Sequence, residues 1–358
     1  MDQITENSNS EGKHVRRKRY KGTHPRHYSE KYKELNPEKY GETVEKVKSK
    51  GNTPAGMHIS IMVDEILEFL DIRPGQVGLD ATLGYGGHTR KMLECLQGKG
   101  HMYALDVDPI ESEKTKARLE LAGYGEDILT IRLMNFADID ELSKEVGRFD
   151  FILADLGVSS MQIDNPERGF TYKADGPLDL RLNPTEGVSA ADRLRELSES
   201  EIAGMLTENS DEPYAKEIAV EITKEFRKGN QIRTTKELAS IVERAVTFKV
   251  EKSKRQQAVK KSCARVFQAL RIDVNSEFEV LDAFLNKLPA VLKPGGRVAV
   301  LTFHSGEDRL VKKAFKWYLQ TGEFSEIAKE VIRPSKQECI DNPRAHSTKM
   351  RWAIKASD

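Results

Sequence analysis

One stretch, residues 77–90, limits what this chain can fold into: Val77-Gly-Leu-Asp-Ala-Thr-Leu-Gly-Tyr-Gly-Gly-His-Thr-Arg90. Apolar Val77, Leu79 and Ala81 read as a strand, Gly84, Gly86 and Gly87 as a turn, and a helix begins near His88. Glycine lets a backbone take positive φ and approach a ligand closely. The first N–H groups of a helix are free to receive polar or anionic groups. Eighteen residues past His88, the strand Met102-Tyr-Ala-Leu-Asp106 ends in an acid. An acid roughly 20 residues beyond such a turn is placed to bond ribose hydroxyls. Together the two features point to a nucleoside-bearing cofactor. The loop reads Gly-x-Gly-Gly-His, not the Gly-x-Gly-x-x-Gly of dinucleotide enzymes. The plain alternative is a tight turn with no ligand.

The flanking pattern extends this unit into a sheet. Helical spacing over 58–70 puts Ile59, Met62, Ile66 and Leu70 on one face, and Pro74-Gly75 breaks it. Helices at 88–97, 109–122 and 138–146 alternate with strands at 101–107, 128–134 and 149–156. Such alternation gives a parallel sheet covered on both faces, with ligands at the carboxyl ends of its strands. Gly84–His88, Asp106, Asn135-Phe136 and Asp155 all fall at those ends.

From 189 to about 262 the reading is almost wholly helical: 190–197, 200–209, 215–228 and 235–246. Ser200 and Thr234 or Thr235 are the expected N-caps. This reads as a helical subdomain inserted into an α/β domain. Lys249, Lys252, Lys254, Arg255, Lys260, Lys261 and Arg265 make 249–265 basic, either to grip a nucleic-acid backbone or as a solvated helix face. The α/β pattern resumes with a long amphipathic helix, 267–288, a turn at 292–296 and a buried strand, 297–303. That strand ends in His304-Ser-Gly-Glu-Asp-Arg309, and a helix covers 308–319. A closing hairpin pairs 331–334 with 350–355. The boundaries expected are 1–53 as a basic, partly disordered extension, 54–164 with 266–358 as the cofactor domain, and 165–265 as the helical insert.

Composition removes other classes. Among 358 residues, 57 Lys and Arg balance 57 Asp and Glu, so the chain is no simple polycation, although local patches remain open. No long apolar run suits a membrane span and no signal core opens the chain, so a cytoplasmic protein is expected. Cys95, Cys263 and Cys339 lack metal-site or disulfide spacing, and no metal is expected. Residues 1–53 hold 13 Lys and Arg, 8 Asp and Glu, and four tyrosines. Such a tail either meets phosphates and bases or simply solubilises.

The ligand that suits these strand ends is a methyl donor, S-adenosylmethionine. Asp106 holds its ribose, Phe136 packs on adenine, and the Gly84–His88 loop approaches the methionine end. Asp155 receives the ammonium or faces the substrate. Methyl transfer from a sulfonium needs alignment more than a nucleophilic triad, and none of the three cysteines falls on a strand-end loop.

Several longer motifs then follow in order: Asp80-Ala-Thr-Leu-Gly-Tyr-Gly-Gly-His88, Asp155-Leu-Gly-Val-Ser-Ser-Met-Gln162, Arg168-Gly-Phe170, Gly176-Pro-Leu-Asp-Leu-Arg181, Phe267-Gln-Ala-Leu-Arg-Ile272 with Asn275-Ser-Glu277, Phe303-His-Ser-Gly-Glu-Asp-Arg309 and Asn342-Pro-Arg-Ala-His-Ser347. Over about 58–356 the chain closely resembles the MraW family of ribosomal RNA small-subunit methyltransferases. The resemblance implies a Rossmann-like class I methyltransferase fold with a helical insert. It implies methylation of N4 of a decoding-centre cytosine in 16S rRNA, with S-adenosylmethionine as donor and the small ribosomal subunit as partner. It carries cofactor contacts onto Gly86, Gly87, His88, Asp106, Phe136, Asp155 and Gln162, the last from resemblance alone. Whether the chain forms a homodimer is left open.

Departures from the family pattern bear on the substrate. Gly306 stands where leucine is usual, Met161 where proline is usual, and Ser210-Asp-Glu-Pro213 where Gly-Glu-Glu-Arg is usual. Together with the extension, they leave open a second copy serving another RNA site. The expected catalytic group is an acceptor at the end of strand four, Asp155 or the carbonyls beside Leu156–Gly157, with His304 and Ser305 positioning the base. Arg181, Lys254, Arg255, Arg271 and Arg309 are expected to hold RNA, although Arg271 and Asn275 equally suit helix-to-sheet packing. The rival readings are a methyltransferase with a non-RNA substrate and a non-catalytic RNA-binding assembly factor.

Overall fold

The computed structural model describes residues 60–357. The N-terminal extension 1–53, with its basic run and suggested helical turns, lies outside the described residues, as does Ile59.

Seven strands form one sheet in the order β3-β2-β1-β4-β5-β7-β6. They are β1 Val77–Asp80, β2 His101–Asp106, β3 Leu129–Leu133, β4 Phe149–Asp155, β5 Leu292–Thr302, β6 Phe324–Ile327 and β7 Lys349–Lys355. The first five are mutually parallel, and β7 runs antiparallel between β5 and β6. This is the Rossmann-like class I methyltransferase arrangement that the resemblance implies. Its order reverses between β1 and β4, where ligands of such sheets sit.

Alternation along the strands explains the layering, since successive side chains of a strand face opposite ways. In β4, Ile152 and Ala154 face a core shared with Ile139, Leu142, Phe284 and Phe315, while Phe151 and Leu153 face one shared with Ile66, Met92 and Leu119. The first core lies under α4 (Ile139–Val146), α11 (Glu277–Val291) and α12 (Ser305–Gln320). The second lies under α1 (Val63–Leu70), α2 (Gly87–Leu96) and α3 (Pro109–Leu121).

A third core belongs to a helical layer. Leu194, Ile202, Ile218, Ile222, Leu238, Val242, Val266 and Leu270 bury one another there. The layer comprises α6 (Ala190–Glu196), α7 (Glu199–Ser210), α8 (Ala215–Arg227), α9 (Thr235–Thr247) and α10 (Arg255–Val274), after the short α5 (Ser160–Asp164). Thr234 caps α9 as expected, but Ser198 rather than Ser200 caps α7, because Glu201 returns its bond in a capping box.

Three other expectations are corrected. The long helix 267–288 is two helices, broken where Ser276 takes φ 48°. Asn275 there donates to Leu180 O and Arg271 O and accepts from Leu182 N, which holds the chain out of register. The residues 292–296, read as a turn, open β5. The strand beside β7 is β6, not 331–334, of which only Ile332 bridges Met350. Phe324 anchors β6 by packing against Phe315 and Tyr318. Among the described residues, no helix is long and apolar enough to cross a membrane.

Candidate functional site

The glycine loop closes over the end of β2 by a bond across the crevice. Gly84 N donates to Asp106 Oδ2 at 2.8 Å, and Asp108 N donates to Asp106 Oδ1 at 2.9 Å. Both oxygens are oriented by backbone yet keep spare lone pairs. Burial pushes the Asp106 carboxyl up to about 6 against these two N–H bonds, and the Asp108 and Asp80 charges add to the rise. Gly86 sits at φ 78° as the N-cap of α2, and a side chain there would strike Thr115 Cγ2 at 2.7 Å. Beside it, a side chain on Gly87 would strike Ser60 Oγ. The backbone can therefore pack this tightly only without Cβ atoms.

A chain of short bonds links β1 to β4 at the reversal. Asp80 is buried and accepts from Thr89 Oγ1 at 2.6 Å and from Thr82 N at 3.1 Å. Thr82 Oγ1 in turn accepts from Asp155 N at 2.7 Å. The Asp155 carboxylate lies with Oδ2 3.4 Å from His88 Nδ1. His88 is buried, and its Nε2 is 2.9 Å from Ile61 O. Burial lifts Asp155 to about 6; His88 opposes the rise, and Asp80 and Glu307 reinforce it. Its Oδ1 is buried with no hydrogen-bond partner among the described residues. Leaving a buried acceptor unmade costs about 1–3 kcal/mol, so the atom suits a donor brought in from outside.

Phe136 opens a single turn, 136–138, at the end of β3 and meets the Phe284 ring edge-on at 5.2 Å. Gln162 is buried and engaged at both ends of its amide. Its Oε1 accepts from Ser159 N at 2.9 Å, and its Nε2 donates to Asp108 Oδ2 at 2.8 Å. Its contact is thus with the carboxylate behind Asp106, which the sequence did not suggest. The same Asp108 oxygen takes a 2.7 Å ion pair from Arg168 Nη1, with Asp108 fully buried and Arg168 nearly so. Arg168 Nη2 reaches Arg181 O and Leu182 O. Sequence reasoning missed this buried pair, although Arg168-Gly-Phe170 was visible as a motif.

The opposite bank is built by α10, α11 and the end of β5. Arg271 forks onto Glu277 through Nε and Nη2 at 2.7 and 2.8 Å. Its Nη1 is left near Gly157, 4.0 Å from where a Cβ would stand. His304 caps α12 in a capping box with Glu307. Burial raises the Glu307 carboxyl, but His304, Arg271 and the Phe303 N–H outweigh burial and hold it below the ordinary range. Ser305 is exposed at the helix start. Glu277, His304 and Glu307 form the one group of metal-competent side chains among the described residues, and both Glu277 oxygens already hold a guanidinium. Asp308 turns away to Lys349 and Arg351.

The cations expected to hold RNA are differently disposed. Arg181 uses Nε and Nη2 on Asp179 and Nη1 on Glu186 O and Gly187 O. It braces its own loop, with no fork left for a phosphate. Lys254 pairs with Glu251, Lys249 with Glu217 and Arg265 with Glu212, and Arg255 donates to Val250 O. Much of the basic stretch is thus answered within the protein. Arg309 is exposed on α12 with no acidic partner among the described residues.

The chain is similar to several known proteins. A ribosomal RNA small subunit methyltransferase H 1 of Agathobacter rectalis is 67% identical over 346 residues, covering 97% of this chain and 99% of that protein. A ribosomal RNA small subunit methyltransferase H 2 of Alkaliphilus metalliredigens is 60% identical over 348 residues, covering 97% and 99%. A solved SAM-dependent O-methyltransferase of Thermotoga maritima aligns with TM-score 0.39 at 12% identity, over 84% of this chain and 68% of that one. The model of the MraW methylase family matches residues 55–356. With that match spanning most of the chain, and relatives aligned over nearly its full length, this chain belongs to the MraW methylase family.

Proposed function

We propose that the chain transfers a methyl group from S-adenosylmethionine to N4 of a cytosine in the decoding centre of 16S rRNA. The observation that carries this reading is the buried Asp155 Oδ1 at the end of β4, which has no hydrogen-bond partner among the described residues. The residues present fit the donor. Asp106 accepts from the ribose hydroxyls with the lone pairs its two backbone bonds leave, and Phe136 packs on adenine, backed by Phe284. The Gly84–His88 loop takes the methionine end. Gln162 acts from behind, by fixing Asp108. The donor supplies a methyl on a sulfonium, and the protein supplies alignment.

The exocyclic amine of cytosine is a poor nucleophile because its lone pair is delocalised into the ring. Asp155 Oδ1 accepts a hydrogen bond from that amine, localises the pair and takes up the proton the nitrogen sheds. A carboxyl held near 6 suits that role at neutral pH. The base leaves its stack to enter the crevice, as modification of a base requires. His304 and Ser305 position it, and Arg271 and Arg309 hold its phosphates. The segment 165–265 acts as the recognition layer, and the enzyme works in the cytoplasm on the small subunit.

A second reading keeps the chemistry and moves the target base. The relatives carry the copy numbers H 1 and H 2. The 346 aligned residues also exceed the 305 from 54 to 358, so the extension is shared with them. Both facts favour a distinct copy with its own RNA site. The test is transfer of tritiated methyl to purified small subunits lacking the modification, with nuclease mapping. Label on N4 of the decoding-centre cytosine supports the first reading, and label on another nucleotide supports the second. No label, with cofactor binding intact, overturns both.

A further inference from the structure

We infer that the outer face of α12 is a track for the single-stranded RNA flanking the target base, with Trp317 as a stacking platform at its far end. The inference deepens the RNA reading above and rests on it. Arg309, Lys313, Lys316 and Gln320 recur at helical spacing and are all exposed, with Lys312 beside them. Val311 and Phe315 are buried on the opposite face. None of the four cations has an acidic partner among the described residues. The helix's own acids are turned away: Glu307 lies inward on Phe303 N, and Asp308 holds Lys349 and Arg351. Four charges therefore stand uncompensated on one face, in a chain with zero formal net charge. In 249–265, by contrast, Glu217 on α8 and Glu212 in the loop before it supply carboxylates to Lys249 and Arg265.

A plain solvated lysine face does not account for Trp317. It is 61% exposed on the shoulder of the same face. An exposed indole among unpaired cations is the combination that single-strand binders use, with charge following the backbone and a ring receiving a base. Placement adds the second argument. The helix starts at the carboxyl end of β5, where Glu307 is close enough to Asp155 to raise its carboxyl. From Arg309 to Lys316 the helix rises about 10 Å, long enough for its cations to follow a strand past more than one phosphate. A strand whose base enters beside Asp155 can therefore continue along α12.

The test uses the full chain with Lys312→Gln, Lys313→Gln and Lys316→Gln combined, and Trp317→Ala separately. All four side chains are exposed, so folding is spared. Methylation of small subunits is followed across salt concentrations, cofactor Kd by calorimetry, and binding of a fluorescent single-stranded 16S fragment directly. The triple variant is expected to raise KM about tenfold. Its dependence of log kcat/KM on log salt should flatten by about 2, at about 0.7 per lost phosphate contact. Trp317→Ala is expected to raise KM about fivefold or more without changing that slope. Cofactor Kd stays at the wild-type value in both. Wild-type KM, salt slope and fragment binding in the triple variant would overturn the track. A wild-type enzyme that methylates no RNA would instead overturn the substrate reading, and fragment binding then decides the track by itself.

Discussion

His88 and Asp155 share a single proton's worth of space: Nδ1 and Oδ2 are 3.4 Å apart, while Nε2 lies 2.9 Å from Ile61 O. A carbonyl can only accept, so Nε2 is the donor on that side. Its Nδ1 edge faces the Asp155 carboxylate, whose other oxygen, Oδ1, is buried with no hydrogen-bond partner among the described residues.

The first prediction concerns pH. Asp106 and Asp155 are both pushed up to about 6, chiefly by burial. Asp155 can take up a proton, and Asp106 can offer all its lone pairs, only when ionised, so kcat/KM should rise as pH increases through about 6 and level off above it. In His88→Ala the opposing influence on Asp155 is gone, and the midpoint should move to higher pH. A profile that is flat between pH 5 and 8 would remove Asp155 from the chemistry.

Asp106→Asn should weaken cofactor binding about tenfold or more. Two backbone N–H groups donate to the two carboxylate oxygens. An amide offers one acceptor, so its NH2 would face a donor and leave a buried bond unmade, at about 1–3 kcal/mol. Calorimetric titration with the cofactor measures it. An unchanged Kd would mean the ribose binds elsewhere.

The buried pair of Arg168 and Asp108 governs stability rather than chemistry. Removing one partner leaves the other charge buried, at about 3–5 kcal/mol. Arg168→Met should therefore lower the urea midpoint sharply, while Asp108→Asn with Arg168→Met should recover part of the loss. A single variant as stable as wild type would show that the pair is dispensable.

Asp155 should also trade stability for function. Its native carboxyl lies above the ordinary 3.8, so the native state binds the proton more tightly than the unfolded chain. Stability from this group is fully present below about pH 3.8 and is lost as pH rises through about 6. The side chain is a quarter exposed, which tempers the effect. Asp155→Asn should gain about 1–3 kcal/mol at pH 8, with the gain fading below about pH 4. Unfolding curves at the two pH values test it.

The bank built by the glycine loop and Asp106 was legible because it is local in sequence. Loop, acid and strand end follow one another from Val77 to Asp106, and periodicity sets their order. The other bank depends on partners far along the chain. Arg168 finds Asp108 across 60 positions, and Glu307 influences Asp155 only after β5 docks beside β4. The basic 249–265 stretch could not reveal that Glu217 and Glu212 would meet its cations. The apolar period over 267–288 runs straight through Asn275, so the break appears only once that amide reaches Leu180 and Leu182.

Helix α10 is 20 residues long, about 30 Å, and it is unbroken from the helical layer to the edge of the crevice. Its last turn carries Arg271, locked by Glu277, beside Gly157. The helix is therefore a stiff lever with its handle among the helices and its tip at the carboxyl end of β4. On the RNA reading proposed above, a tilt that a docked substrate imposed on the handle would swing the guanidinium past the strand end, so that grasping the RNA and trimming the geometry of the base would become a single mechanical event.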